Sequence, residues 1–186
     1  LGVVVGASLV LFAMRATTVS VTSWFGAVSK EAFFLWNNLL LAVATFMVLI
    51  GTLQPIIAEL LNLGQVSVGP PYFNLIFNIL MTPLIFLVAL GPVVRWREYD
   101  LASLLSHSKL ALAAALLIAV ASTFFSGDMP LTDNAQVALG VFLAAWVILM
   151  QLKNWYQQAS GPSGFNAKRV KTSYYGMIIA HIGLAV

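Results

Sequence analysis

Long apolar segments separated by short polar connections constrain this chain more than any other feature. Of the 186 residues, 61% are hydrophobic and only 8% are charged, whereas a soluble domain carries about 25% charged residues. Water could not solvate such a surface, so lipid must cover much of it. We therefore predict an integral membrane protein that contacts membrane lipid over much of its surface.

The spacing of the apolar residues predicts six helical segments in one membrane domain over residues 1–186. A backbone in lipid must satisfy its own hydrogen bonds, and the alternating segments of a membrane barrel are not found in the sequence. We therefore predict an all-α fold, a polytopic transmembrane helix bundle. The predicted segments are 1–15, 32–61, 72–94, 106–125, 134–156 and 173–186. The first and last are shorter than the roughly 20 residues that a span needs, so we expect an internal fragment of a longer protein.

The basic residues fall on alternate connections. The chain contains nine lysines and arginines, and all of them flank or lie in the first, third and fifth connections between the segments. Cytoplasmic connections carry an excess of Lys and Arg, so these three connections are predicted to be cytoplasmic. The connections 62–71 and 126–133 hold no Lys or Arg and are predicted to face the outside, which is the periplasm in a Gram-negative bacterium. The membrane edges explain the basic residues, and nothing indicates nucleic-acid binding.

Two histidines are the candidate ligands or proton carriers. His181 lies about eight residues into the sixth segment, roughly 10 Å deep, where an ionisable group is a functional hypothesis by default. Neutral imidazole is a good axial ligand for haem iron, but His181 could equally be a proton relay or bond a neighbouring helix. His107 lies at the edge of the fourth segment and is more simply read as a solvated residue. The chain has no cysteine, which excludes disulfides and thiolate metal sites within it.

One outward connection has the composition of a docking surface. Gly69, Pro70 and Pro71 form a rigid turn that places Tyr72 at the membrane interface. Interfacial tyrosines commonly form an aromatic belt, and contact with a periplasmic partner is the alternative. Asn37, together with the amides at positions 38, 74 and 78, is expected to hydrogen-bond between helices. The sequence has no nucleotide-binding loop, zinc-protease motif or catalytic triad.

Several stretches together resemble the CcmF/NrfE family of cytochrome c biogenesis proteins. They occur in the order of the family and span nearly the whole chain. They are GASLVLFAMR (6–15), SKEAFFLWNNLLL (29–41), VLIGTLQP (48–55), VSVGPPYFN (66–74) and GMIIAHIG (176–183). The resemblance implies the membrane core of a haem lyase, which attaches haem to the CxxCH cysteines of apocytochrome c in the periplasm.

The same resemblance implies a cofactor, a location and partners. It makes His181 an axial ligand to the iron of a haem b within the bacterial inner membrane, with the second ligand on an earlier helix outside this chain. That haem b would donate electrons. The implied partners are apocytochrome c, CcmH/CcmI-type subunits that handle thiols and apocytochrome, and a CcmE-type haem chaperone. The resemblance assigns no catalytic residue to this chain, because the tryptophan-rich haem-transfer segment lies elsewhere in the family.

Two other functions fit the residues alone. The first is a transporter or ion-translocating subunit with His181 in its pathway, although the segments hold few acidic groups of the kind such pathways use. The second is an assembly scaffold without catalytic activity. The presence or absence of a haem that depends on His181 distinguishes the haem protein from the transporter.

Overall fold

A computed structural model describes residues 2–18, 24–64, 67–125, 127, 130–162 and 164–186. Within these ranges the regular structure is almost entirely helical, which confirms the predicted all-α fold class. The helices are α1 (Gly2–Arg15), α2 (Lys30–Leu60), α3 (Pro70–Leu90), α4 (Leu101–Phe125), α5 (Leu131–Ala159) and α6 (Thr172–Ala185). Parts of the two connections predicted to face the outside, residues 65–66, 126 and 128–129, lie outside the described residues.

Helices α2, α3, α4 and α5 are each long and apolar enough to cross a membrane. Helices α1 and α6 are apolar but have 14 residues each. In the polar connection before α6, a two-residue strand β1 (Ser160–Gly161) pairs antiparallel with β2 (Gly164–Phe165). The chain is therefore part of a multi-pass membrane protein.

Helix α3 begins two residues before its predicted start and ends four residues before its predicted end. Pro70 and Pro71 occupy its first turn, where the N–H that proline lacks has no partner within the helix anyway. At the other end Gly91 follows the last helical residue, and Pro92 then offers no N–H to extend the ladder. Proline and glycine residues, rather than the limits of the apolar run, therefore set both ends.

Helix α4 begins at Leu101, five residues before the predicted start at residue 106. Asp100 explains the difference, because its Oδ2 accepts hydrogen bonds from the backbone N–H of Ser103 at 2.9 Å and from the Ser103 hydroxyl at 3.0 Å. These bonds lower the pKa of the Asp100 carboxyl from its ordinary value. The cap is therefore present at neutral pH and is lost only as the pH falls through that lowered pKa.

Helix α5 is the centre of the bundle, since it packs against α3, α4 and α6. Trp146 and Met150 on α5 are almost completely buried. The Trp146 ring stacks on Phe86 of α3 at a centroid distance of 5.2 Å, and its Nε1 donates to the Phe86 carbonyl oxygen at 3.1 Å. Small residues on α4, such as Ala111 and Ala115, are also buried, which permits close helix approach.

Two connections that carry basic residues are hydrogen-bonded to each other. The backbone N–H groups of Gly26 and Lys30 donate to the carbonyls of Arg97 and Arg95, at 2.7 and 2.9 Å. The N–H of Tyr99 donates to a carbonyl of the first connection in return. We call this end of the helices, marked by Lys30, Arg95 and Arg97, the basic end. The structure thus brings together two connections that the charge pattern assigns to one side.

Near the opposite end, an aromatic contact joins α2 to α3. The hydroxyl of Tyr72 donates to the carbonyl oxygen of Met47 at 3.0 Å, and the Tyr72 ring stands edge-on to Phe73. Both rings lie against Gly51, where an added Cβ would be 2.5 Å from Tyr72 Cε1 and 3.2 Å from the Phe73 ring. Gly51 therefore allows α3 to pack closely on α2.

Gly51→Ala is expected to destabilise the intact protein, because the added methyl group would overlap the Tyr72 ring. That ring is held in place by the Met47 carbonyl and by Phe73. Overpacking of this kind costs about 1–3 kcal/mol. Thermal unfolding in detergent, followed by the monodisperse fraction, measures the effect.

Gly140→Ala on α5 is the matched control, because nothing lies within 4 Å of an added Cβ there. It is expected to be neutral or to stabilise the helix by up to about 1 kcal/mol. Equal melting behaviour of the two variants would show that the α2–α3 contact does not have this geometry.

Candidate functional site

A cavity of about 380 Å³ lies at the basic end between α2, α3 and α6. This volume falls within the roughly 300–1,000 Å³ of small-molecule and cofactor sites. Most of the lining is apolar, with one imidazole, one ammonium and one amide. The lining residues are Lys30, Phe33, Phe34, Asn37, Leu87, Val88, Gly91, Pro92, Met177 and His181.

His181 lines this cavity, and a backbone hydrogen bond sets the tautomer of its ring. Its Nδ1 lies 2.7 Å from the carbonyl oxygen of Met177, one helical turn earlier. A carbonyl oxygen only accepts hydrogen bonds, so Nδ1 must carry the proton and donate. The proton is therefore absent from Nε2 of the neutral ring, which keeps its lone pair and bonds no other described residue. Metal-binding histidines are commonly oriented by this kind of bond to a backbone carbonyl.

The start of α2 is held in place by three successive residues. Ser29 is fully buried, and its Oγ accepts the N–H of Ala32 at 3.1 Å, which caps the helix. Lys30 then lines the cavity. The carboxylate of Glu31 accepts the Arg97 backbone N–H with both oxygens, at 2.9 and 3.1 Å. The run Ser-Lys-Glu thus fixes the wall of the cavity to the connection that follows α3.

His107 lies in a separate polar cluster between α4 and α5. Its Nε2 is 3.2 Å from Oδ1 of Asn154, and its carbonyl oxygen accepts from the ammonium of Lys153. Gln151, one turn away on α5, is completely buried, and neither of its amide atoms bonds another described group. Among the described residues, no three His, Cys, Asp or Glu side chains converge as a metal site would require.

The predicted partner-facing residues divide into two groups in the structure. Pro70 and Pro71 are exposed in the first turn of α3, whereas Gly69 and Tyr72 are partly buried. Tyr72 bonds the backbone of α2, so its ring takes part in packing between helices. Contact of this segment with a partner stays a prediction, and it now concerns the exposed proline rings.

Of the four amides expected to join helices, only Asn37 is partly buried, and it lines the cavity. Asn38, Asn74 and Asn78 are exposed. Their side chains make no hydrogen bond to another described residue. The expected bridges between helices therefore do not form within the described part of the chain.

Sequence comparisons show that the chain is similar to cytochrome c-type biogenesis proteins. The cytochrome c-type biogenesis protein CcmF of Pseudomonas aeruginosa is 38% identical over 184 residues, which cover 98% of this chain and 27% of that protein. CcmF of Escherichia coli is 32% identical over 183 residues, with 98% and 27% coverage. NrfE of Haemophilus influenzae is 31% identical over 180 residues, with 95% and 26% coverage.

The predicted resemblance to CcmF and NrfE is confirmed by these similarities. They extend over nearly the whole chain, and the chain spans about 27% of the length of the first of these relatives. No protein-family model matches the chain. No solved structure matches it significantly.

Ser29→Ala is expected to loosen the first turn of α2, because it removes the hydroxyl that caps that turn. Loss of a serine cap costs about 1 kcal/mol, which corresponds to roughly fivefold faster exchange of the Ala32 amide hydrogen if that turn opens locally. Hydrogen–deuterium exchange with peptide-level mass spectrometry measures it.

Ser106→Ala is the control, because Ser106 is exposed and its hydroxyl bonds only a carbonyl of its own helix. It should leave exchange at the start of α2 unchanged. Unaltered exchange in Ser29→Ala as well would mean that Ser29 does not cap α2.

Proposed function

We propose, from the homology of this chain to one segment of the CcmF and NrfE cytochrome c-type biogenesis proteins, that it forms part of the membrane core of a haem lyase. The relatives are named for cytochrome c biogenesis, which supports a role in cytochrome c maturation. In this proposal the intact protein takes part in attaching haem to apocytochrome c. The observation that carries the proposal for this segment is the cavity that contains His181.

The residues that line the cavity fit a haem b. A haem site needs a ligand such as an imidazole nitrogen for the iron, apolar walls for the macrocycle and a polar edge for the carboxylates. His181 supplies the lone pair at Nε2, and Phe33, Phe34 and Val88 supply apolar surface. A single histidine cannot provide two axial ligands, and His107 is bonded to α5 elsewhere. The second ligand would therefore come from a part of the longer protein.

Four of the residues that line the cavity have defined tasks in the proposed site. His181 would bind the iron, and the carbonyl of Met177 holds the imidazole in the orientation and tautomer that such binding would require. The two phenylalanines would cover part of the bound macrocycle with apolar surface. The iron of haem b, when bound, supplies one-electron oxidation and reduction, and the proposal gives it the role of electron donor during haem attachment.

The proposal also includes a location and partners. The membrane is the bacterial inner membrane, and the basic end faces the cytoplasm, in agreement with the preference of Lys and Arg for that side. The segment with the exposed Pro70 and Pro71 then lies at the periplasmic side. The expected partners there are apocytochrome c, the CcmH/CcmI-type subunits and the CcmE-type haem chaperone.

His181→Ala is expected to abolish most haem binding by the intact protein. Removing a residue that only orients a metal ligand costs roughly 10–100-fold in affinity, and removing the ligand itself should cost at least as much. The purified variant should therefore lack the α-band of reduced haem b. The dithionite-reduced minus oxidised spectrum, with haem quantified per protein, measures the loss.

His107→Ala is the matched histidine control and should retain haem at the level of the unchanged protein. Full haem content in His181→Ala would refute the assignment of the ligand. Absence of haem from the unchanged protein would instead favour the transporter hypothesis, in which His181 lines a pathway.

A further inference from the structure

Among the described residues that line the cavity of His181, Lys30 is the one lysine or arginine. It is half-buried at the first position of α2, and its ammonium lies 5.5 Å from the centre of the Trp96 ring. The remaining lining is apolar except for Asn37 and His181. The cavity therefore combines one imidazole with one cationic residue.

The neighbours of Lys30 fix its backbone and leave its charge without an anionic partner. Ser29 caps the helix, and the Lys30 N–H donates to the Arg95 carbonyl oxygen at 2.9 Å. The adjacent Glu31 bonds the backbone N–H of Arg97 with both carboxylate oxygens. Lys30 forms no ion pair with another described residue. An ammonium at the wall of an apolar cavity is suited to an anionic group of a bound ligand.

Lys30 and His181 occupy different positions along their helices. Lys30 is at the first residue of α2 at the basic end, whereas His181 follows the start of α6 at Thr172 by nine residues. Nine residues correspond to roughly 13 Å along the axis of α6. The cationic residue thus begins α2 at the basic end, whereas His181 lies well inside α6.

We infer that Lys30 binds the propionate carboxylates of the macrocycle whose iron His181 ligates, and that it orients those carboxylates toward the basic end. The inference rests on the proposed function, since it requires the haem b. Haem carries its two carboxylates on one edge, so a cation at one end of the cavity distinguishes that edge from the apolar vinyl edge. Lys30 is a positioning residue in this account and takes no part in electron transfer.

Haem and its propionate dimethyl ester test this assignment on the intact protein. Both are titrated into haem-depleted protein, and binding is followed by the absorption spectrum. The unchanged protein should bind haem roughly tenfold more tightly than the ester, since a hydrogen bond to a charged group contributes about that much. This comparison requires no variant and is independent of any folding defect.

Lys30→Met should weaken haem binding about tenfold and leave ester binding unchanged. Lys30→Arg should restore the preference for haem because it keeps the charge. Lys109→Met is the control, because Lys109 is exposed on α4 and does not line the cavity. The midpoint potential of the bound iron should also fall in Lys30→Met, since loss of a nearby positive charge favours the oxidised, more positive iron.

Two results would overturn the role of Lys30. One is equal affinity of the unchanged protein for haem and ester, and the other is an equal loss for both in Lys30→Met, which would indicate a packing role beside Trp96. Failure of the unchanged protein to bind either compound would instead refute the proposed haem site itself. The two failures are therefore distinguishable.

Discussion

The attachment of the start of α2 to the connection after α3 is the contact on which the cavity depends. Glu31 accepts the Arg97 N–H with both carboxylate oxygens, and the backbone bonds from Gly26 to Arg97 and from Lys30 to Arg95 continue the same junction. The bond from Lys30 also satisfies one of the N–H groups that a helix start leaves without a partner. Together these bonds hold α2 and the end of α3 as two walls of one pocket, which α6 completes with His181.

Helices α2 and α3 contact each other in different ways at their two ends. Close to the basic end, α2 and α3 leave room for a ligand, and the contact between them runs through the connections. Toward the opposite end, Gly51 lets Tyr72 and Phe73 pack against α2, so the same two helices come into close contact. The cavity therefore lies between two contacts that hold α2 and α3 together. One is the aromatic packing, and the other is the set of hydrogen bonds between the connections.

The sequence was sufficient for the four long membrane spans, because these depend on composition and length alone. It did not predict the start of α4, since the capping Asp100 lies in a polar stretch that hydropathy assigns to a connection. From the sequence, Lys30 was interpreted only as one of the basic residues that indicate the cytoplasmic side of the membrane. Its position in the cavity arises from the packing of α2, α3 and α6, which are distant in sequence. Pro92 could have indicated the end of α3, since proline cannot continue a helix ladder.

The central claim is that Nε2 of His181 binds the iron of a haem held between α2, α3 and α6. An experimental density map of the intact protein, purified with its native cofactor, tests it most directly. The account predicts a planar macrocycle in this cavity, with density joining its iron to Nε2 of His181 and its carboxylates toward Lys30. A cavity filled by lipid or by side chains, or a haem bound at another histidine, would contradict it.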